Sequence, residues 1–134
     1  MGLVYANISL RNPREPDLRP LDVQALVDTG STHLRIPEHV AIQLKLEPAY
    51  DREVTTADRS KKVCSYVGPI EVRFDSRASF TGALVLGSEV LLGAVPMEDM
   101  DLVISPSTRT VVVNPESPNI PSAIVKSISV SASS

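Results

Sequence analysis

The chain has 134 residues, a net charge of −3 and an apolar content of 43%. The length is that of one domain with a single core, and the apolar content is typical of globular proteins and argues against global disorder. The small negative charge, without a cluster of Lys and Arg, gives no electrostatic basis for a nucleic-acid partner. The single cysteine, Cys64, excludes an intrachain disulfide, and nothing indicates an oxidising compartment.

Signals for targeting and membrane insertion are absent from the usual places. Residues 1–5 lack the basic start and long apolar core of a signal peptide, and Ala6 stands where N-myristoylation requires Ser or Thr. The longest apolar stretch, residues 83–97, is interrupted by glycine, serine, glutamate and proline, so it does not predict a membrane span. We therefore expect a cytoplasmic protein without a membrane partner.

Two alternating patterns open the chain. Apolar residues alternate with polar ones over residues 3–10 and again over 21–27, which predicts two half-buried strands. The segment 11–20 between them holds three prolines and five charged residues, which is typical of a surface loop. The second strand leads directly into Asp28.

The most informative stretch runs from Leu26 to Thr32, with the sequence LVDTGST. A buried strand that ends in Gly, Ser and Thr places an acid where burial gives way to a loop. Gly30 permits a close backbone approach, and the hydroxyls of Thr29 and Ser31 can donate to a carboxylate. This pattern predicts a site built around a positioned acid, Asp28.

Asp28-Thr29-Gly30-Ser31 after a hydrophobic strand resembles the active-site signature of the aspartic peptidases. One copy in a chain of this length resembles the retropepsin-like branch (retroviral-type, clan AA), in particular its stand-alone prokaryotic members. Residues 34–44 look like the family's strand and short helix, and residues 90–93, VLLG, resemble its second hydrophobic-hydrophobic-glycine element. The resemblance covers roughly residues 3–114.

The resemblance implies a mainly β fold: a closed β-barrel subunit with one or two short helices, assembled as a two-fold homodimer. It implies that Asp28 is catalytic and that Thr29 reaches the partner's backbone. It further implies that Gly30 allows close approach and Ser31 braces the carboxylate. The residues that it places behind the site are Leu91, Leu92 and Gly93. It requires no cofactor and no metal.

A hairpin is predicted by the β-prone runs 54–57 and 63–66, which flank a polar tip. Its position matches the family's flap, which folds over bound substrate. That match makes four residues candidates for substrate binding: Ala57, Asp58, Arg59 and Ser60. The alternative is an ordinary exposed hairpin, and the sequence departs from family flaps because residues 51–67 contain no glycine.

The remaining pattern predicts further strands over 70–74 and 80–86, separated by a turn or short loop at 75–79. A short helix is expected at 96–100, and a second hairpin joins 102–104 to 110–113. That hairpin is our candidate for a dimer interface, with simple core sheet as the alternative. Domain 1–114 is followed by a Pro/Ser-rich tail, 115–134, expected to be disordered, although its apolar residues allow part of it to dock.

The two histidines predict no further chemistry. His39 is expected on an exposed helix face, and His33 at the surface or a subunit contact. Without a second pair of ligands they do not form a metal site, and neither histidine sits in a context that suggests a catalytic Cys64.

Because only one Asp-Thr-Gly occurs, a second carboxylate must come from a second chain. Our main hypothesis is an aspartic endopeptidase in which two Asp28 carboxylates, one per subunit, activate a water molecule against a polypeptide substrate. The alternative on the same fold is a catalytically inactive dimerisation or peptide-binding module. A third possibility is an unrelated small β-barrel with a chance motif.

Overall fold

The structure is a computed structural model that describes residues 2–125. Strands dominate this part of the chain, and the two helices in it are short. In chain order the elements are β1 (Tyr5–Arg11), β2 (Leu21–Val27), β3 (Leu34–Ile36), α1 (Glu38–Gln43), β4 (Pro48–Thr55), β5 (Lys61–Phe74), β6 (Arg77–Val85), β7 (Leu91–Leu92), α2 (Ala94–Asp99), β8 (Leu102–Ser105) and β9 (Thr110–Val113).

Six of these strands close into a barrel. The sheet runs in the order β1-β2-β7-β3-β6-β5, and β5 pairs back with β1. Strand β4 extends the sheet beyond β5, while β8 and β9 form a separate antiparallel ribbon. The expected fold class, a mainly β closed barrel with two short helices, is confirmed.

The seam that closes the barrel carries a buried acid. Glu71 on β5 lies opposite Arg11 on β1, and their side chains form an ion pair at 2.6 Å. The Arg11 hydrogen bonds, outweighing the effect of burial, lower the pKa of Glu71, and Arg73 adds a second contact at 3.2 Å. Residues of opposite charge therefore join the first and fifth strands.

Strand alternation fills the barrel interior. In β3, Leu34 and Ile36 are fully buried, while Arg35 between them points to the opposite face. Leu10, Val72 and Leu92 are also fully buried in the same core. Burial of each such side chain contributes about 2 kcal/mol to the free energy of folding.

Both predicted helices are present, with one change of boundary. In α1, Val40 and Ala41 face the core as expected, and Pro37 is its N-cap residue. Helix α2 begins at Ala94, two residues before the predicted start. The reason is that its first amides find acceptors in the loop between β2 and β3, because Ala94 N donates to Ser31 O and Val95 N to Thr32 O.

Two predictions about the region 63–79 are wrong in detail. The runs around 63–66 and 70–74 belong to one strand of 14 residues, β5, in which a register shift between Val67 and Ile70 accommodates Gly68 and Pro69. The turn or short loop predicted at 75–79 is a turn of only two residues, because Asp75 adopts a φ of 51° and β6 begins at Arg77.

Both predicted hairpins are present. Strands β4 and β5 pair antiparallel up to Thr55 and Lys61, and β8 pairs with β9 from Leu102 to Ser105. Within residues 2–125, none of the helices has the length and apolar character needed to cross a bilayer.

The segment after β9 is attached to the domain by Asp101 and Arg77. The Asp101 carboxylate accepts hydrogen bonds from Asn114, Ser117 and the Ser122 amide, and the Arg77 guanidinium donates to the carbonyl oxygens of Met100 and Ser117. The rest of the predicted tail, residues 126–134, lies outside the described residues.

Candidate active site

Strand β2 delivers Asp28 to one mouth of the barrel. Val27 pairs in parallel with Leu92, and the next amide, that of Asp28, donates to the Leu92 carbonyl oxygen at 3.0 Å. The chain then turns, since the Ser31 amide donates to the Asp28 carbonyl oxygen at 3.1 Å. Asp28 thus lies at the point where the sheet ends and a tight loop begins.

Both carboxylate oxygens of Asp28 have a donor. The Gly30 amide donates to Oδ1 at 3.0 Å, and the Ser31 hydroxyl donates to Oδ2 at 3.1 Å. A Cβ on residue 30 would lie 3.2 Å from Oδ1, so glycine lets this amide come close. The two donors fix the direction of the carboxylate, while the residue itself remains exposed in the single chain.

The loop is held from behind by Gly93. A Cβ there would lie 2.7 Å from the Ser31 carbonyl oxygen and would also collide with the His33 carbonyl oxygen. This close approach brings the first turn of α2 within hydrogen-bonding distance of the loop, with Ala94 N to Ser31 O at 2.7 Å. Gly93 therefore packs directly against the backbone of the loop that carries Asp28.

A pocket of about 520 Å³ opens beside the carboxylate. One wall is the loop that carries Asp28, a second is the end of the β4–β5 hairpin, and the third is the open end of the barrel. Its lining residues are Asp28, Gly30, Ser31, Thr32, His33, Arg35, Val54, Thr55, Thr56, Ala57, Leu84, Leu86 and Leu91. The volume is within the range of small-molecule and side-chain binding clefts.

The structure brings some of the predicted site residues together and leaves others outside the pocket. Those that line it with Asp28 are Gly30, Ser31, Ala57 and Leu91. Leu92 is fully buried in the core, and Thr29 is exposed away from the lining. Asp58, Arg59 and Ser60 form the exposed hairpin tip and do not line the pocket.

Side-chain hydrogen bonds stabilise the tip of the β4–β5 hairpin, which contains no glycine. The Asp58 carboxylate accepts hydrogen bonds from the Thr56 hydroxyl at 2.5 Å and from the Ser60 amide at 3.0 Å and hydroxyl at 2.7 Å. These donors hold the pKa of Asp58 well below its usual range. The network supports the left-handed conformation of Arg59, with a φ of 68°, which otherwise costs about 1 kcal/mol.

His33, which sequence reasoning placed at the surface or at a subunit contact, lines the pocket. Its ring packs edge-on against Tyr66 with centroids 5.8 Å apart, and the Arg52 guanidinium lies 4.4 Å above the same Tyr66 ring. Tyr66 in turn covers Gly82, where a Cβ would lie 2.5 Å from the tyrosine hydroxyl. Partial burial and the charge of Arg52 lower the pKa of His33, which favours the neutral imidazole.

Arg35 is the second pocket residue that sequence reasoning missed. A signal was available, because the period of two in a strand places residues 33 and 35 on the face opposite Leu34 and Ile36.

Among residues 2–125, no group of three or more His, Cys, Asp or Glu side chains is arranged to hold a metal ion.

Comparison with known proteins supports the fold assignment. No protein-family model matches the sequence, and no curated protein matches it. Among solved structures, the retroviral protease-like domain of Ddi1 from Leishmania major is similar, with a TM-score of 0.54 at 9% identity over 95% of this chain and 100% of that domain. A Legionella pneumophila protein of unknown function gives a TM-score of 0.43 at 12% identity, over 80% of this chain and 95% of that one, which is too distant to support an argument. The chain therefore has the fold of a retroviral protease-like domain.

Proposed function

We propose that this protein is an aspartic endopeptidase that acts as a homodimer. The observation that carries the proposal is the Asp28 carboxylate, which is oriented by Gly30 and Ser31 at the edge of a pocket lined on another side by a β-hairpin. The similarity of the fold to a retroviral protease-like domain supports the same conclusion.

The second carboxylate comes from a second copy of the chain. Asp28 is the single acidic residue among the pocket-lining residues of the described chain. A two-fold axis beside the exposed Asp28 loop brings this residue next to its own symmetry mate. We assign the β8–β9 ribbon to the interface, since Ile104 is an exposed apolar residue on it.

The paired carboxylates share one proton, because two like charges at close range do not both ionise readily. The charged Asp28 removes a proton from a water molecule, and the oxygen of that water bonds to the substrate carbonyl carbon. The protonated Asp28 donates to the carbonyl oxygen, which gives a tetrahedral diol. The C–N bond then breaks as the nitrogen receives the proton that the first Asp28 took from water. One diol hydroxyl returns a proton to the other Asp28, and a carboxylic acid and an amine are released.

One observation favours a second candidate, a peptide-binding module without catalysis. The pocket beside Asp28 is formed by one chain alone, with the hairpin tip already fixed by Asp58. Binding of an extended peptide therefore needs no second carboxylate.

The test is incubation with a diverse peptide mixture, with and without a statine-type inhibitor, followed by mass spectrometry. Wild type is expected to cleave peptides in an inhibitor-sensitive way, and Asp28→Asn to lose turnover by orders of magnitude. Asp22→Asn, an exposed acid on the same strand, is the matched control and should retain activity. Cleavage that survives Asp28→Asn contradicts the proposal. Peptides that bind to the wild-type protein but are not cleaved favour the second candidate.

A further inference from the structure

Strand β3 places a cation in the same pocket as Asp28. Leu34 and Ile36 are fully buried in the core, so the alternation of the strand turns Arg35 to the pocket face. Arg35 lies opposite Leu84 of β6 and Leu91 of β7, and both of these leucines also line the pocket. The backbone of residue 35 is therefore fixed by a strand that is paired on both sides.

Within residues 2–125, the guanidinium of Arg35 has no anionic side chain as an ion-pair partner. Its Nε is buried without a hydrogen-bond partner, and Arg35 takes part in none of the ion pairs found within residues 2–125. The acid in the same pocket, Asp28, already accepts hydrogen bonds at both oxygens from Gly30 and Ser31. A partly desolvated cation without a partner is stabilised strongly when a ligand brings an anion into the pocket.

Gly87 lies beside the Arg35 guanidinium. A Cβ at this position would lie 3.5 Å from Arg35 Nε and 3.6 Å from Cζ, and its φ of 83° favours glycine. The guanidinium thus lies next to backbone that carries no side chain. A guanidinium has the fork geometry that binds a carboxylate through two parallel hydrogen bonds.

We propose that Arg35 determines specificity by binding an Asp or Glu side chain of the polypeptide substrate close to the scissile bond. This inference rests on the proposed function, because it names the substrate class of the same pocket. The apolar neighbours Leu84, Leu86 and Leu91 accept the methylene part of that side chain, and Arg35 accepts its charge.

The experiment uses peptide sets that differ only by Glu, Gln or Lys at each of four positions on either side of a cleaved bond. For wild type, kcat/KM is expected to favour Glu over Gln by about tenfold or more at one position. Arg35→Gln should remove this preference, Arg35→Lys should keep part of it, and Arg35→Glu should shift it towards Lys. Arg19→Gln, an exposed arginine in the first loop, should leave it unchanged. Circular dichroism verifies that each variant is folded.

Binding of the same peptides to Asp28→Asn, measured by fluorescence anisotropy with and without Arg35→Gln, separates the two proposals. Cleavage by wild type without a Glu preference rejects the role of Arg35 and leaves the peptidase intact. A Glu preference in binding that depends on Arg35, with no cleavage by wild type, supports the role of Arg35 and rejects the peptidase. Absence of both binding preference and cleavage rejects both.

Discussion

Gly93 and Ser31 approach so closely that a Cβ on the glycine would lie 2.7 Å from the serine carbonyl oxygen. The same glycine is the N-cap residue of α2, whose first amide, that of Ala94, donates to that carbonyl oxygen. The loop that carries the catalytic candidate is therefore shaped by a residue that never touches the pocket.

The first prediction concerns Gly93→Ala. The added methyl group would collide with backbone atoms of Ser31 and His33, which cannot move away without shifting the whole loop. We therefore expect the free energy of unfolding to fall by about 2–3 kcal/mol. Activity should fall as well, because the loop that orients Asp28 must shift. Urea denaturation and kcat/KM are the measurements. Gly2→Ala is the control, since its Cβ would meet only the end of the flexible Arg109 side chain. Equal stability of the two variants would contradict the prediction.

The second prediction tests whether two Asp28 residues form one site. Wild type is mixed with Asp28→Asn at constant total concentration and allowed to exchange subunits. If each site needs two intact aspartates, an equal mixture should keep about one quarter of the wild-type activity, and a site within one chain should keep about one half. The measurement is turnover against the wild-type fraction. A linear dependence would show that one chain is sufficient.

The third prediction concerns the hairpin tip. Asp58→Ala removes the acceptor of three hydrogen bonds, so amide exchange over residues 56–61 should accelerate and KM should rise. Global stability should change little because the tip is exposed. Exchange measured by NMR with and without a peptide inhibitor also tests whether this hairpin closes on a ligand. Asp51→Ala, on the exposed part of β4, is the control. Exchange at the tip that matches wild type would show that Asp58 does not organise it.

The fourth prediction is a pH dependence that arises at Asp101. Hydrogen bonds from Ser117, Ser122 and Asn114 lower the pKa of this carboxyl from 3.8 to about 2. Because the folded-state pKa lies below the unfolded one, its contribution to stability is complete above about pH 4 and is lost as the pH falls through about 2. Asp101→Asn should lower Tm at neutral pH and flatten the fall of Tm between these values. Asp99→Asn, an exposed acid in α2, should leave the profile unchanged. An unaltered profile in Asp101→Asn would contradict the assignment.

Local sequence was sufficient where the structure depends on local patterns. Alternation located β1 and β2, and the run up to Asp28 identified the end of β2. The site loop follows from a short motif whose donors are two and three residues away from the acceptor.

Sequence was insufficient where partners lie far apart in the chain. Arg77 resembled a turn residue, yet it is almost fully buried because carbonyl oxygens 23 and 40 residues away accept its hydrogen bonds. The pocket positions of His33 and Arg35 depend likewise on strands that come from distant parts of the chain. The glycine-free tip is a third case, since only the side-chain network of Asp58 shows how it is stabilised.

Different parts of β5 form the hairpin beside the pocket and close the barrel. Residues 61–65 pair only with β4 within the described chain, whereas closure of the barrel depends on pairs at residues 71–73 with β1. Lengthening both strands of the hairpin by two residues keeps the same side chains facing the pocket and leaves barrel closure untouched. The length of the hairpin that borders the pocket can therefore change without a change in the strand pairs that close the barrel.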